Sequence, residues 1–191
     1  MRAPVVFDIE TKKTFREAPN HKDLGISVVG AYDYKTETYH TFLEHELGDL
    51  FVLLENASVV VGYNSDGFDL PVLQAYYPGD VTTFKSFDIL SDIRRILGRR
   101  ISLDEVVKAT LGEGKSGNGL QAITYFRKGM WEELKKYCLD DVRLTKELLD
   151  YGIKERKIYY NTPAGKQMIT VLWEPQIRST TSHDMSLTLP F

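Results

Sequence analysis

The sequence predicts an α/β protein: one mixed sheet, antiparallel at first and parallel after, flanked by helices. Three observations carry this. Val5-Val6-Phe7 opens the chain as an apolar strand, and residues 26–34 and 37–43 read as a strand pair across the short Lys35-Thr36 link, whose length predicts a hairpin. Residues 58–63 are continuously apolar, as a parallel strand buried on both faces requires. Elsewhere apolar residues recur at helical spacing, over the longest stretch from 131 to 157.

In chain order, the first strand runs into Phe7-Asp8-Ile9-Glu10-Thr11, and residues 17–23 read as a loop by composition. Leu47, Leu50, Phe51 and Leu54 mark a helix over 47–57. After the 58–63 strand, Asn64 and Asp66 are turn or cap residues before a helix through Tyr76, which Pro78-Gly79 ends. Asp88 is placed to cap a helix over 89–97, and Ser102 with Glu105 has capping-box spacing ahead of 106–111. Residues 112–119 are glycine-rich; they lack P-loop spacing, and a flexible surface loop is the simpler reading. Residues 157–160 and 167–173 flank a polar loop and predict a terminal hairpin, and 179–191 read as a polar tail. The expected division is one domain over 1–157, with the hairpin and tail of 158–191 packed on it or extending from it.

Composition sets broad limits. The 191 residues fit one domain, and 42% hydrophobic with 27% charged residues is ordinary for a globular chain. No apolar run is long enough to span a bilayer, so no membrane association is expected, and the strand-like start does not resemble a signal peptide. The single cysteine, Cys138, excludes an internal disulfide and a cysteine-rich zinc site; a cytoplasmic location is the matching expectation. A net charge of −3 argues against bulk attraction to nucleic acid, although bound metal ions would restore local positive potential. The basic pairs, Arg99-Arg100 among them, read as solvated surface features.

Three short constellations carry the chemistry. Asp8 and Glu10 sit two apart on a strand and so project from one face, where a divalent cation would relieve their repulsion; a solvated strand end is the alternative. Asp69 falls in the first turn of a helix, where the helix dipole favours an acid, with Phe68 beside it as a surface for a base to stack on. Capping and core packing account for these two equally well. Tyr137 and Asp141 are four residues apart on the long helix and share a face near the Leu134, Leu144 and Leu148 stripe, where a carboxylate needs a partner or a metal.

Taken in order, Asp8-x-Glu10, Asn64-x-x-x-Phe68-Asp69 and Tyr137-x-x-x-Asp141 resemble the three motifs of DEDDy-type 3′–5′ exonucleases of the ribonuclease H-like superfamily. The wording is similar to the proofreading domains of family B DNA polymerases and to related stand-alone exonucleases, over roughly residues 3 to 155. The resemblance implies a ribonuclease H-like fold, with Asp8, Glu10, Asp69 and Asp141 holding two divalent ions, Mg²⁺ or Mn²⁺, and Tyr137 orienting the attacking water. It implies that the backbone around Ile9 and Thr11, with Asn64 and Phe68, contacts the terminal nucleotide; Lys115, in the glycine-rich loop, is a separate candidate phosphate contact. The implied partner is nucleic acid with a free 3′ end, DNA or RNA, and a proofreading role would need a polymerase partner. A non-catalytic nucleic-acid-binding module and a structure-selective endonuclease of the same fold are the alternatives.

Overall fold

The structure is a computed structural model that describes residues 2–114 and 119–178. Strand β1 (Val5–Thr11) lies at the centre of a five-stranded sheet, antiparallel to β2 (Ile26–Asp33), which pairs antiparallel with β3 (Thr38–Leu43). On the other side β1 runs parallel to β4 (Val60–Gly62), and β4 runs parallel to β5 (Ser86–Asp88), giving the order β3-β2-β1-β4-β5. The mixed sheet read from the sequence is therefore present. β5 was not anticipated, because three residues are too few to display a period.

Alternation along β1 assigns its side chains to two layers. Val5, Phe7 and Ile9 pack with Val29, Ala31 and Val60 under helices α1 (Leu47–Glu55) and α2 (Asp69–Leu73). Val6 points the other way, with Tyr32, Val61 and Phe87, into a core shared with α3 (Ile89–Leu97), α4 (Leu103–Leu111) and α6 (Trp131–Glu155). Asp8 and Glu10 follow the parity of Val6 and so face α6. On that helix Leu134, Leu144 and Leu148 are fully buried, each contributing about 1.5–3 kcal/mol of transfer free energy.

Several boundaries differ from expectation. α2 is a single turn starting at Asp69, and Asn64 and Asp66 are turn residues and not its caps: Asn64 sits in the left-handed region (φ 73°), so the chain turns sharply before the helix begins. Helix α5 (Gly119–Arg127) was not anticipated: its nine residues display little more than two turns of period, directly after the glycine-rich stretch of 112–119. The capping box of Ser102 and Glu105 forms as read, and Asp88 caps α3 by accepting from the Leu90 and Ser91 N–H groups.

The terminal hairpin, β6 (Lys157–Thr162) with β7 (Gly165–Thr170), forms its own two-stranded sheet. Its Ile158 and Ile169, with Val171 and Trp173 beyond, lie in the same core as Val6 and Ile93. The Trp173 indole N–H donates to Asp92 Oδ2 at 2.8 Å. A short helix, α7 (Glu174–Arg178), follows. The polar tail over 179–191 lies outside the described residues.

Candidate metal centre

Parallel strands that part company at their carboxyl ends leave a crevice, and the candidate site is built there. β4 stays paired with β1 only at Val5 and Val6, and beyond Gly62 the chain turns away at Asn64. The next β1 amide on that side, Ile9 N–H, would be orphaned. It donates instead to Asp69 Oδ1 at 2.9 Å, so the Asp69 side chain continues the ladder where β4 has left it. Asp69 is only 3% exposed, and burial, followed by the charge of Asp8, pushes its carboxyl well above the usual carboxylate range.

The other wall comes from α6, which approaches closely because Gly30 lacks a side chain. Asp8 is opposite Gly30 and Glu10 opposite Val28 in the β1–β2 register. Val28 packs with Tyr137 and Cys138, and a Cβ on Gly30 would come within 3.0 Å of both the Cys138 sulfur and Val142 Cγ2. Cys138 Sγ lies 3.5 Å from the Asp8 carbonyl oxygen, a direct contact between helix and strand. Burial pushes the Cys138 thiol up, so it stays a neutral packing group and not a nucleophile.

This docking gathers three acids. Asp8, Glu10 and Asp141 each offer a carboxylate oxygen within 4.8 Å of the others, and Glu10 and Asp141 are buried. Like charges at that distance repel by about 3 kcal/mol per pair at an effective dielectric near 20. The set is oxygen-only, which suits a hard divalent cation. Tyr137, one turn before Asp141, is 4% exposed, and its hydroxyl finds no hydrogen-bond partner among the described residues. An orphaned buried hydroxyl beside a carboxylate cluster fits a site completed by a bound cation and its water. Burial first, then the charges of Asp141, Glu10 and Asp8, push the phenol above its ordinary value, so it remains protonated.

One cavity of about 330 Å³ brings together Asp8, Ile9, Glu10, Thr11, Asn64, Phe68, Asp69, Tyr137 and Asp141. Each was singled out from the sequence; Lys115, the remaining candidate, lies outside the described residues. The three mutually close acids are Asp8, Glu10 and Asp141, with Asp69 set beside Asp8 and bound to the backbone. Sequence reasoning missed several walls. Phe15 is half exposed and meets Phe68 edge-on at 5.9 Å, with His21 completing an aromatic trio. Leu120 and Ile123 enter from α5, and their three-residue spacing was the signal available.

The Asn64 turn is held from two sides. Its N–H donates to Asp88 Oδ1 at 2.8 Å, and its Oδ1 accepts from Arg100 Nη2 at 2.8 Å. Asp88 is thus more than a cap: the same carboxylate bonds the start of α3 and the turn bearing Asn64. Nothing local in the sequence marks that second task.

Comparison with known proteins gives concordant results. A family model described as the RNase H superfamily matches residues 5–153. No curated protein matches the chain. Among solved structures, the family B DNA polymerase of the hyperthermophilic archaeon Pyrobaculum calidifontis aligns with a TM-score of 0.60 at 19% identity, covering 78% of this chain and 24% of that one. Trypanosoma brucei RNase D aligns with a TM-score of 0.58 at 21% identity, covering 78% of this chain and 57% of that one. The same enzyme in complex with RNA U12 gives 0.57 at 19% identity, covering 78% and 55%. This chain therefore spans about a quarter of the polymerase and little more than half of RNase D, and at such identities the likeness is one of fold. With the family match extending over most of its length, the chain belongs to the RNase H superfamily.

Proposed function

We propose that this protein is a metal-dependent 3′–5′ exonuclease that hydrolyses single-stranded or frayed nucleic acid and releases 5′-mononucleotides. The observation that carries the reading is the convergence of Asp8, Glu10 and Asp141 in one cleft beside the Tyr137 hydroxyl, which has no partner among the described residues. The fold it shares with RNase D and with a family B polymerase supports it. So does the capture of RNase D in complexes with RNA U12 and with GMP, an oligonucleotide and a mononucleotide.

On this reading Asp8, Glu10, Asp69 and Asp141 hold divalent ions, Mg²⁺ or Mn²⁺. Such ions, when bound, polarise a phosphodiester and lower the pKa of water. The chain's own residues supply position. Tyr137 offers a protonated hydroxyl with no competing partner among the described residues, so it orients the attacking water and does not abstract its proton. The terminal base lies against Phe68 and Phe15, an aromatic surface of the kind that contributes about 1–3 kcal/mol per stacked base. Asp69 fixes the Ile9 amide, and with it the backbone at Ile9 and Thr11 that borders the terminal nucleotide.

The test is Mg²⁺- or Mn²⁺-dependent digestion of 5′-labelled DNA and RNA oligonucleotides. Asp8→Asn and Asp141→Asn are each expected to lower the rate at least a hundredfold with the fold intact by circular dichroism. Full activity in both variants would overturn the assignment. A circular single strand should resist digestion, and its cleavage would move the reading to an endonuclease.

A further inference from the structure

The acid cluster opens on two sides. Besides the cavity containing Phe68 and Tyr137, a second of about 350 Å³ also reaches Asp8, Tyr63 and Asn64, and its far wall is Arg100 with Ser102 and Leu103. An enzyme that cuts one linkage inside a strand end needs room on both sides of that linkage. The first cavity has the aromatic wall suited to a terminal base. The second has the cation.

Arg99 and Arg100 differ from several arginines elsewhere on the surface. Arg95, Arg127 and Arg143 are each neutralised by carboxylates. Among the described residues neither Arg99 nor Arg100 forms an ion pair. Arg100 bonds the neutral amide oxygen of Asn64, and the Arg99 guanidinium lies 5.4 Å from the centre of the Tyr160 ring. Both arrangements orient a guanidinium while leaving its charge available for phosphate. Gly98, in the left-handed conformation (φ 71°), ends α3, and the Tyr63 hydroxyl donates to the Ile101 carbonyl at 2.8 Å, so the loop carrying the pair is pinned at both ends. Consecutive Cα atoms are about 3.8 Å apart, which makes the cavity wall and the hairpin surface neighbours along one path.

We propose that the single strand upstream of the scissile linkage leaves the acid cluster past Arg100 and crosses Arg99 and Tyr160 onto the C-terminal hairpin. Arg100 and Arg99 meet its phosphates, and Tyr160 offers a stacking face. This inference rests on the exonuclease reading for its direction, and it gives the β6–β7 hairpin a role in holding substrate.

The test is fluorescence anisotropy in Mg²⁺ with 5′-fluorescein oligothymidylate and oligouridylate of three and twelve nucleotides, their last two 3′ linkages made phosphorothioate to resist cleavage. Arg99→Ala is expected to weaken the twelve-mer five- to tenfold, to leave the three-mer within twofold, and to reduce the salt slope by about 0.7. Tyr160→Leu, which keeps an apolar side chain against the core, is expected to show the same length dependence without the salt effect. Equal losses at both lengths, no loss on the twelve-mer, or no binding of either twelve-mer by the wild-type chain would overturn the path. Length-dependent loss in the variants, with a wild-type chain that digests no unmodified oligonucleotide, keeps the path and overturns the exonuclease reading. Digestion without length-dependent loss does the reverse.

Discussion

The Trp173 ring occupies the space that a Cβ on Gly152 would fill, so the segment after the hairpin is seated directly on the backbone of α6. Asp92 Oδ2 fixes the indole from the other side, and Phe87 meets the ring edge-on at 5.9 Å. On an exposed helix Gly→Ala stabilises by about 1 kcal/mol. Here the sign should reverse: Gly152→Ala is expected to cost about 1–3 kcal/mol, or roughly 2–12 °C in Tm. Trp173→Leu in the same chain should recover part of that loss, read by thermal unfolding as a double-mutant cycle. Strictly additive effects would show that the two residues do not compete for space.

Tyr137→Phe separates function from stability. The hydroxyl is buried without a partner among the described residues, so its removal should leave Tm unchanged or raise it, because an unsatisfied buried hydroxyl costs about 1–3 kcal/mol. The rate of 3′-end digestion should fall at least tenfold, with Mn²⁺ binding retained by calorimetry. An unchanged rate would remove Tyr137 from the mechanism.

Metal should act as a structural ligand as well as a catalytic one. Saturating Mn²⁺ at about a hundred times its Kd is expected to stabilise the chain by about 2.7 kcal/mol. Asp8→Asn removes one charge from the cluster and one cause of the raised Asp69 carboxyl, so the metal-free variant should melt higher than the wild type. It should also lose most of the Mn²⁺ shift. Thermal scans with Mn²⁺ and with EDTA test both; an equal Mn²⁺ shift in the variant would place the ion elsewhere.

The capping box gives a pH dependence of defined sign. Hydrogen bonds from the Ser102 N–H and hydroxyl to Glu105 hold its carboxyl below the usual range. A lowered carboxylate contributes its stability above its unfolded value and loses it as pH falls through the folded one. The Tm gap between wild type and Glu105→Gln should therefore be widest near neutrality and close below the usual carboxylate range. Ser102→Ala, which removes the cap itself, should cost about 1 kcal/mol, or 2–4 °C. A gap that stays constant between about pH 7 and pH 3 would place the glutamate's contribution outside its charge.

What could be read from the sequence was local and periodic. Alternation along β1 put Asp8 and Glu10 on one face, and helical spacing put Tyr137 and Asp141 on another; the structure shows both pairings. The apolar runs located β1, β2, β3 and β4 to within a residue or two. What escaped depends on partners distant in sequence. Gly30 matters because a helix formed more than a hundred residues later lands on it, and Asp88 holds a turn more than twenty residues before it. Arg99 and Arg100 looked like solvent-facing charge until Asn64 and Tyr160 were placed beside them. Asp69 was legible as a helix-start acid, but its bond to Ile9 follows from where β4 stops, which no periodicity records.

The contact between Cys138 and Asp8 joins positions 130 apart in the chain. During synthesis at about 5–20 residues per second, roughly 6–26 s separate the emergence of one from the other. For that interval the β1–β2–β3 hairpins can form with Asp8 and Glu10 still wet, before Asp141 is present to oppose them. The mutual repulsion of all three acids appears only when α6 docks. Assembly of the acid cluster is thus set late in the biosynthesis of the protein, and a chain released early would carry finished strands without an assembled centre.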